Sequence, residues 1–234
     1  TVQEAYDATI MAFRIAEHND VLLPVMVNLD GFLLSHIMQP LDTVDVGDFI
    51  PPIHLPHAID VKSPAGYGGL TGPDQQFKFR WDMERSIRDS VKVIEETEKE
   101  FAKRFGRKYG LTDDYLCADA NVIIVAMGTL GKEAEVAVDL LRKEGIRAGS
   151  MRLRWLRPFP KLDLKGREVV VIDRDYSFGS GGILATEIVA QTKEEVFSVI
   201  AGIGGQEVTY EDVADFVRKR RIGEEFWFGV TNHV

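Results

Sequence analysis

The chain has 234 residues, a mass of 26.2 kDa and a formal charge of −9, with 45% hydrophobic and 28% charged side chains. That length suggests one or two domains, and that balance of apolar and charged residues excludes wholesale disorder. The acidic excess opposes nonspecific binding to nucleic-acid phosphates, and no apolar run approaches the roughly 18 residues of a membrane span, so neither nucleic acid nor a membrane is expected as a partner.

Thr1–Asp7 has neither a basic n-region nor an apolar h-region, so no secretory signal is expected. The single Cys117 rules out an internal disulfide and an iron–sulfur cluster held within this chain. With no histidine near it in sequence, Cys117 reads as a buried or semi-buried thiol, not a nucleophile, and a reducing, cytoplasmic setting is expected.

Val2, Ala5, Tyr6, Thr9, Ala12, Phe13 and Ala16 recur at helical spacing, which predicts an amphipathic helix over residues 2–17. The chain begins inside this pattern, so it is expected to be part of a longer protein. Val21–Val27 reads as a buried strand, with Pro24 near its edge because proline has no N–H to donate. Asn28-Leu29-Asp30-Gly31 is then a turn at the carboxyl end of that strand, the end that faces ligands in open α/β sheets. Residues 1–52 therefore read as the tail of an α/β domain.

Residues 53–118 read as an extended connector followed by a long helix over Asp82–Phe105. The connector is marked by Pro51-Pro52, Pro56, Pro64, Gly68-Gly69 and Gly72-Pro73. In the helix, Ile87, Val91, Ile94 and Phe101 form one stripe. Residues 78–108 carry a local charge of +3 against −12 for the rest, which reads as a solvated helical face, with docking on an acidic subunit as the alternative.

Residues 119–234 alternate strand and helix. Strands are predicted at Asn121–Met127, Arg147–Leu153, Glu168–Asp173 and Val196–Ala201, with helices at Lys132–Lys143 and Ala185–Lys193. Thr209-Tyr210-Glu211-Asp212 marks the start of a last helix, with Asp in place of the usual Glu or Gln of a capping box. This order implies a mainly parallel sheet with helices on both faces.

Met127-Gly128-Thr129-Leu130-Gly131-Lys132 joins a strand to a helix, where glycines can let N–H groups approach a phosphate. It matches neither the dinucleotide fingerprint nor the Walker pattern, so a tight turn needing small residues is the preferred reading. Asp173-Arg174-Asp175 runs into the Gly-rich Ser177–Gly182 at a sheet edge, which suits either a ligand or subunit contact or a plain charged turn. Arg152, Arg154 and Arg157 alternate with apolar residues before Pro158 and Pro160, a pattern suited to carboxylate pairing at an interface more than to phosphate binding. Of His18, His36, His54, His57 and His233, only His36 falls near an expected cleft, and no metal site is expected.

Several of these motifs recur in order in a known family. They are Val2–Asp7, Leu23–Val27, Asp30-Gly31-Phe32 with Ser35-His36, Phe49–Pro52, Val122–Gly128, Arg154 with Arg157–Pro160, and Asp173-Arg174 with Ser177–Gly179. Over almost its whole length the chain resembles the carboxyl-terminal part of the alpha subunit of the pyruvate:ferredoxin oxidoreductases, within the 2-oxoacid:ferredoxin oxidoreductases. The resemblance implies an α/β fold: residues 1–52 as the end of a thiamine-diphosphate pyrimidine-binding domain, 53–118 as connector and helix, and 119–234 as a transketolase carboxyl-terminal-like sheet domain. Pro160–Arg167 is shorter than the helix-bearing segment usual there, so a loop crossover is expected.

The activity implied is reversible oxidative decarboxylation of pyruvate to acetyl-CoA with electrons passed to ferredoxin. The nearest alternative is the same subunit of a branched-chain 2-oxoacid enzyme. From another class, a non-catalytic nucleotide-binding or assembly module is the competing reading. Thiamine diphosphate, magnesium, coenzyme A and iron–sulfur clusters belong to the whole complex, none to this chain alone. They are shared with thiamine-diphosphate-binding and ferredoxin-like subunits. Such a part is expected to be inactive alone, with no catalytic residue of its own. Asp30, Ser35 and His36 are expected near the cofactor, and Arg152, Arg154, Arg157, Asp173 and Arg174 at interfaces.

Overall fold

The computed structural model describes residues 1–55 and 57–230; Pro56 and His233 lie outside the described residues. The fold is α/β, in two compact units, one formed by Thr1–Asn28 with Met38–Gly110 and the other by Leu29–Ile37 with Leu111–Val234.

In the first unit, helix α1 (Val2–Ala16) is capped by Thr1, whose side chain accepts from the Glu4 N–H. Its buried stripe of Ile10, Met11 and Ile15 belongs to the unit's core, along with Val93, Ile94 and Phe101 of α3 (Val91–Phe105). Phe49, fully buried as the last residue of a short 3-10 turn, meets Phe101 and Phe105 edge-on at 5.5 Å, and the Arg14 guanidinium lies 4.7 Å from its ring centroid. The long helix expected at Asp82–Phe105 is two helices, α2 (Pro73–Asp89) and α3, parted at Ser90. Pro73 suits the first turn of α2, where no N–H is needed, and the Ser90 hydroxyl donates back to the Ile87 carbonyl at 2.7 Å.

Val21–Val27 forms no strand. Among the described residues no strand pairs with it, Leu22 adopts a φ of 43°, and only Val21 of the run is buried. An apolar run of strand length needs a neighbouring strand to take its backbone hydrogen bonds, and here the Val21 and Leu22 N–H groups turn back to the His18 carbonyl instead.

The second unit is built on a six-stranded sheet of order β1-β3-β2-β4-β7-β8: β1 (Thr112–Tyr115), β2 (Val122–Met127), β3 (Ala148–Leu153), β4 (Glu168–Asp173), β7 (Phe197–Ile200) and β8 (Glu225–Trp227). All neighbours are parallel except β1, which runs antiparallel to β3. Strands β2 and β4 are apolar along almost their whole length because both faces are covered. Val122, Ile124 and Ala126 face α4 (Leu130–Lys143) and α6 (Tyr210–Lys219), whereas Ile123 and Val125 face the opposite core with α5 (Ile183–Thr192). A two-residue hairpin, β5 (Tyr176–Ser177) and β6 (Gly181–Gly182), follows β4.

The segment between β3 and β4 is the loop crossover that the sequence implied. Leu164 is buried in the core under the sheet, with Leu156, Phe159 and Leu162 packed against it, so apolar loop residues cover strand surface that a helix would otherwise cover. At α6, Asp212 completes the capping box despite its short side chain: it accepts the Thr209 N–H at 2.9 Å, and its own N–H reaches the Thr209 hydroxyl at 3.3 Å.

Candidate functional site

From β2 the chain passes to β3 on one side, and it later returns to β4 on the other. The carboxyl ends of β2 and β4 therefore flank the point where strand order reverses, the crevice that open α/β sheets offer to ligands. Gly128 and Thr129 follow β2 there, and Asp173 and Arg174 stand at the end of β4.

Asp30 enters this crevice from the segment Leu29–Ile37. Its Oδ2 accepts the Thr129 N–H at 2.5 Å and its Oδ1 accepts from Arg174 Nη1 at 2.7 Å. Gly128 has φ +60°, and a Cβ there would collide with the Asp30 carboxylate, so both the backbone and the space call for glycine. The N–H that sequence reasoning considered for a phosphate is thus used by a carboxylate of the same chain.

Ser35 and His36 sit apart from that crevice contact, exposed on a local turn. The Ser35 hydroxyl accepts the Phe32 N–H at 3.0 Å and lies 2.8 Å from His36 Nδ1, and the His36 ring is 5.6 Å from that of Phe32. These contacts fold the turn on itself. They supply no third group to orient a serine–histidine pair as a nucleophile.

Arg152 lies inside the sheet, buried on β3. It donates to Asp113 Oδ2 at 2.6 Å, directly opposite on β1, and Lys132 reaches the same oxygen at 3.3 Å. Burial raises the Asp113 pKa, but the Arg152 hydrogen bond and the charges of Lys132 and Arg152 outweigh it and leave the carboxyl below its usual range. Gly131 is needed on α4 because a Cβ would overlap the Arg152 stem. Arg154 lies just beyond the strand, where its N–H donates to the Leu111 carbonyl at 3.0 Å, and exposed Arg157 pairs with Glu187 of α5 at 2.5 Å.

Asp173 is buried and holds the start of α5, its two oxygens accepting the Leu184 and Ala185 N–H groups at 2.9 and 3.0 Å. Burial pushes its carboxyl up to about 6 in spite of these bonds, and Asp175 and Glu225 add to the rise. Asp113 was not picked out in the sequence, and Thr129 was named only as part of the motif Met127–Lys132. The signal for Thr129 was present in the glycines around it; Asp113 gave none, because its partner is opposite on another strand.

Two concavities complete the picture. One of about 530 Å³ in the second unit is lined by Asp114, Cys117, Lys161, Asp163 and Arg167 among others. There burial and the Asp114 charge push the Cys117 thiol up to about 11, and its Sγ donates to the Ser150 carbonyl at 3.1 Å, so it stays protonated at neutral pH. The other, about 360 Å³ in the first unit, is lined by Ala16, Leu22, Leu23, Pro24, Ile53, Leu55 and His57.

Comparison with known proteins gives two family matches. Residues 1–99 match the thiamine-diphosphate-binding domain model of pyruvate flavodoxin/ferredoxin oxidoreductases, and residues 120–213 match core domain II of pyruvate:ferredoxin oxidoreductase. Pyruvate synthase subunit PorA of Methanothermobacter thermautotrophicus is 37% identical over 97% of this chain and 62% of its own length. Ketoisovalerate oxidoreductase subunit VorA of Pyrococcus horikoshii is 34% identical over 90% of this chain and 57% of its own length. The chain thus spans about three fifths of the curated relatives it matches. A solved 2-oxoglutarate:ferredoxin oxidoreductase from Magnetococcus marinus aligns with 74% of this chain and 29% of that chain, at 19% identity and a TM-score of 0.43. Together the two family models, both of pyruvate flavodoxin/ferredoxin oxidoreductases, match most of the sequence in the order in which its motifs run, and the chain is similar to that family along almost its whole length.

Proposed function

We propose that this chain is part of the alpha subunit of a 2-oxoacid:ferredoxin oxidoreductase that decarboxylates pyruvate to acetyl-CoA and passes the electrons to ferredoxin. The observation that carries this reading is the 37% identity to a pyruvate synthase subunit along 97% of the chain. A second reading, a branched-chain 2-oxoacid enzyme, is favoured by the 34% identity to a ketoisovalerate oxidoreductase subunit. The division into 1–52, 53–118 and 119–234 by role, and the placing of Arg154, Arg157 and the Asp173 loop at subunit boundaries, are proposals of the same kind.

The thiamine-diphosphate-binding family model implies that cofactor for the family. The residues present do not fit it on their own. The groove of the first unit offers one polar side chain, His57, and the described residues contain no cluster of three His, Cys, Asp or Glu for the magnesium ion that a diphosphate needs. No catalytic step is therefore derived from this chain. Its role in the proposal is to build the fold and its contacts, with thiamine diphosphate, magnesium, coenzyme A and iron–sulfur clusters held with the help of other subunits.

The test is co-purification of the tagged chain with a thiamine-diphosphate-binding subunit and a ferredoxin-like, cysteine-rich subunit, identified by mass spectrometry. An assay of the recovered complex follows. Coenzyme-A-dependent ferredoxin reduction with pyruvate supports the first reading, and preference for 2-ketoisovalerate supports the second. Nucleotide binding by the chain with no such subunits recovered overturns both.

A further inference from the structure

We propose that the crevice between β2 and β4 is an anion site whose occupant is the chain's own Asp30 carboxylate, and that a free monocarboxylate takes its place when that side chain is removed. The inference goes beyond the catalytic reading and does not depend on it.

Three observations carry it. The first is place: the carboxylate lies at the carboxyl ends of the two strands between which the sheet order reverses. The second is chemistry. A backbone N–H at the amino end of the 14-residue α4 and a guanidinium both donate to the same carboxylate, at 2.5 and 2.7 Å, and the helix dipole favours negative charge there. The third is the shape and the unmet polarity of the surroundings. Asp30 fills the space that a Cβ on Gly128 would take, and Arg174 lies so close to Gly202 that a Cβ there would come within 2.9 Å of its Nε. Thr129 Oγ1 and Arg174 Nε, on the two residues that hold the carboxylate, are buried polar atoms without a hydrogen-bond partner.

A site with two donors to one carboxylate and further polar atoms unmet is built for a small oxyanion. Here the anion is tethered. Asp30 stands on the segment Leu29–Ile37, which groups with the second unit although the residues on either side of it group with the first. The tethered carboxylate has two consequences: it keeps external anions out of the crevice, and it holds that segment in the second unit.

The experiment uses the whole chain, with formate as the probe and chloride at equal ionic strength as the control. Asp30→Ala should melt at a lower temperature than the unaltered chain, and its Thr129 amide should exchange faster. Formate should raise the Asp30→Ala midpoint more than chloride does and should slow that exchange, whereas the unaltered chain should respond alike to both salts because its site is filled. Adding Arg174→Gln to Asp30→Ala should abolish the formate response. Should Asp30→Ala not fold, Asp30→Asn keeps the side-chain shape and removes the charge, and Thr129 amide exchange should then rise by about tenfold or more. Equal formate and chloride effects on Asp30→Ala, a formate effect that survives Arg174→Gln, or unchanged Thr129 exchange in Asp30→Asn would each overturn the proposal.

Discussion

Asp7, Asp30 and Asp173 are aspartates taken out of bulk water, and each meets the loss of hydration differently. Asp7 is fully buried, and Arg107 binds both its oxygens at 2.6 and 2.8 Å while the Tyr109 hydroxyl donates at 2.6 Å. Burial pushes its pKa up, but these donors win and hold it below the usual range. Its contribution to stability is therefore present above the unfolded pKa and lost as pH falls through the folded one. Arg107→Ala strands the buried carboxylate and should cost about 3–5 kcal/mol in urea unfolding at neutral pH. A loss below about 1 kcal/mol would mean that the pair is weak.

Asp173 has two N–H groups and no cation, so burial wins and its carboxyl rises to about 6. The sign is opposite to that of Asp7. The folded protein holds this proton more tightly than the unfolded chain, so the stability from this group is complete below about pH 4 and is lost as pH rises through about 6. Asp173→Asn removes the titration. Urea unfolding of both proteins between pH 4 and pH 8 should show the unaltered chain losing stability, relative to the variant, as pH rises. Parallel profiles would contradict the assignment.

At the scale of elements, what could be read in advance follows from whether the cause is local. β2 and β4 were legible because strands buried on both faces are apolar throughout, and α6 was legible from its capping residues. The hydroxyl of Thr209 accepts the Asp212 N–H, so Thr209→Ala should lose about 1 kcal/mol, read as a lower thermal midpoint. Edge strands β1 and β8 were not legible. Thr112–Tyr115 contains two aspartates, and Glu225–Trp227 has three exposed residues, so neither shows an apolar alternation. Val21–Val27 failed in the other direction, since its sequence is strand-like but among the described residues no strand pairs with it. The site was half legible: Asp30 and Arg174 were singled out separately, but nothing local says that residues 144 positions apart form an ion pair. The crossover before β4 depends on Leu164 for its anchor, and Leu164→Ala should cost about 2–5 kcal/mol, because the loop would leave a cavity under the sheet.

For the whole molecule the chemistry of the side chains sets a limit on what this chain does unaided. Thiamine-dependent decarboxylation with electron transfer needs a site for a metal diphosphate and sulfur ligands for a cluster. The described residues hold no cluster of metal-ligating side chains, and the single Cys117 keeps its proton at neutral pH. Asp173, a carboxyl that burial raises to about 6, spends both oxygens on the start of α5 and is buried. Pure chain given pyruvate, thiamine diphosphate, magnesium, coenzyme A and a ferredoxin should therefore release no carbon dioxide and reduce no acceptor above the enzyme-free rate. Turnover by the chain alone would show that a complete active site lies within these 234 residues, and the assignment of the chemistry to other subunits would fall.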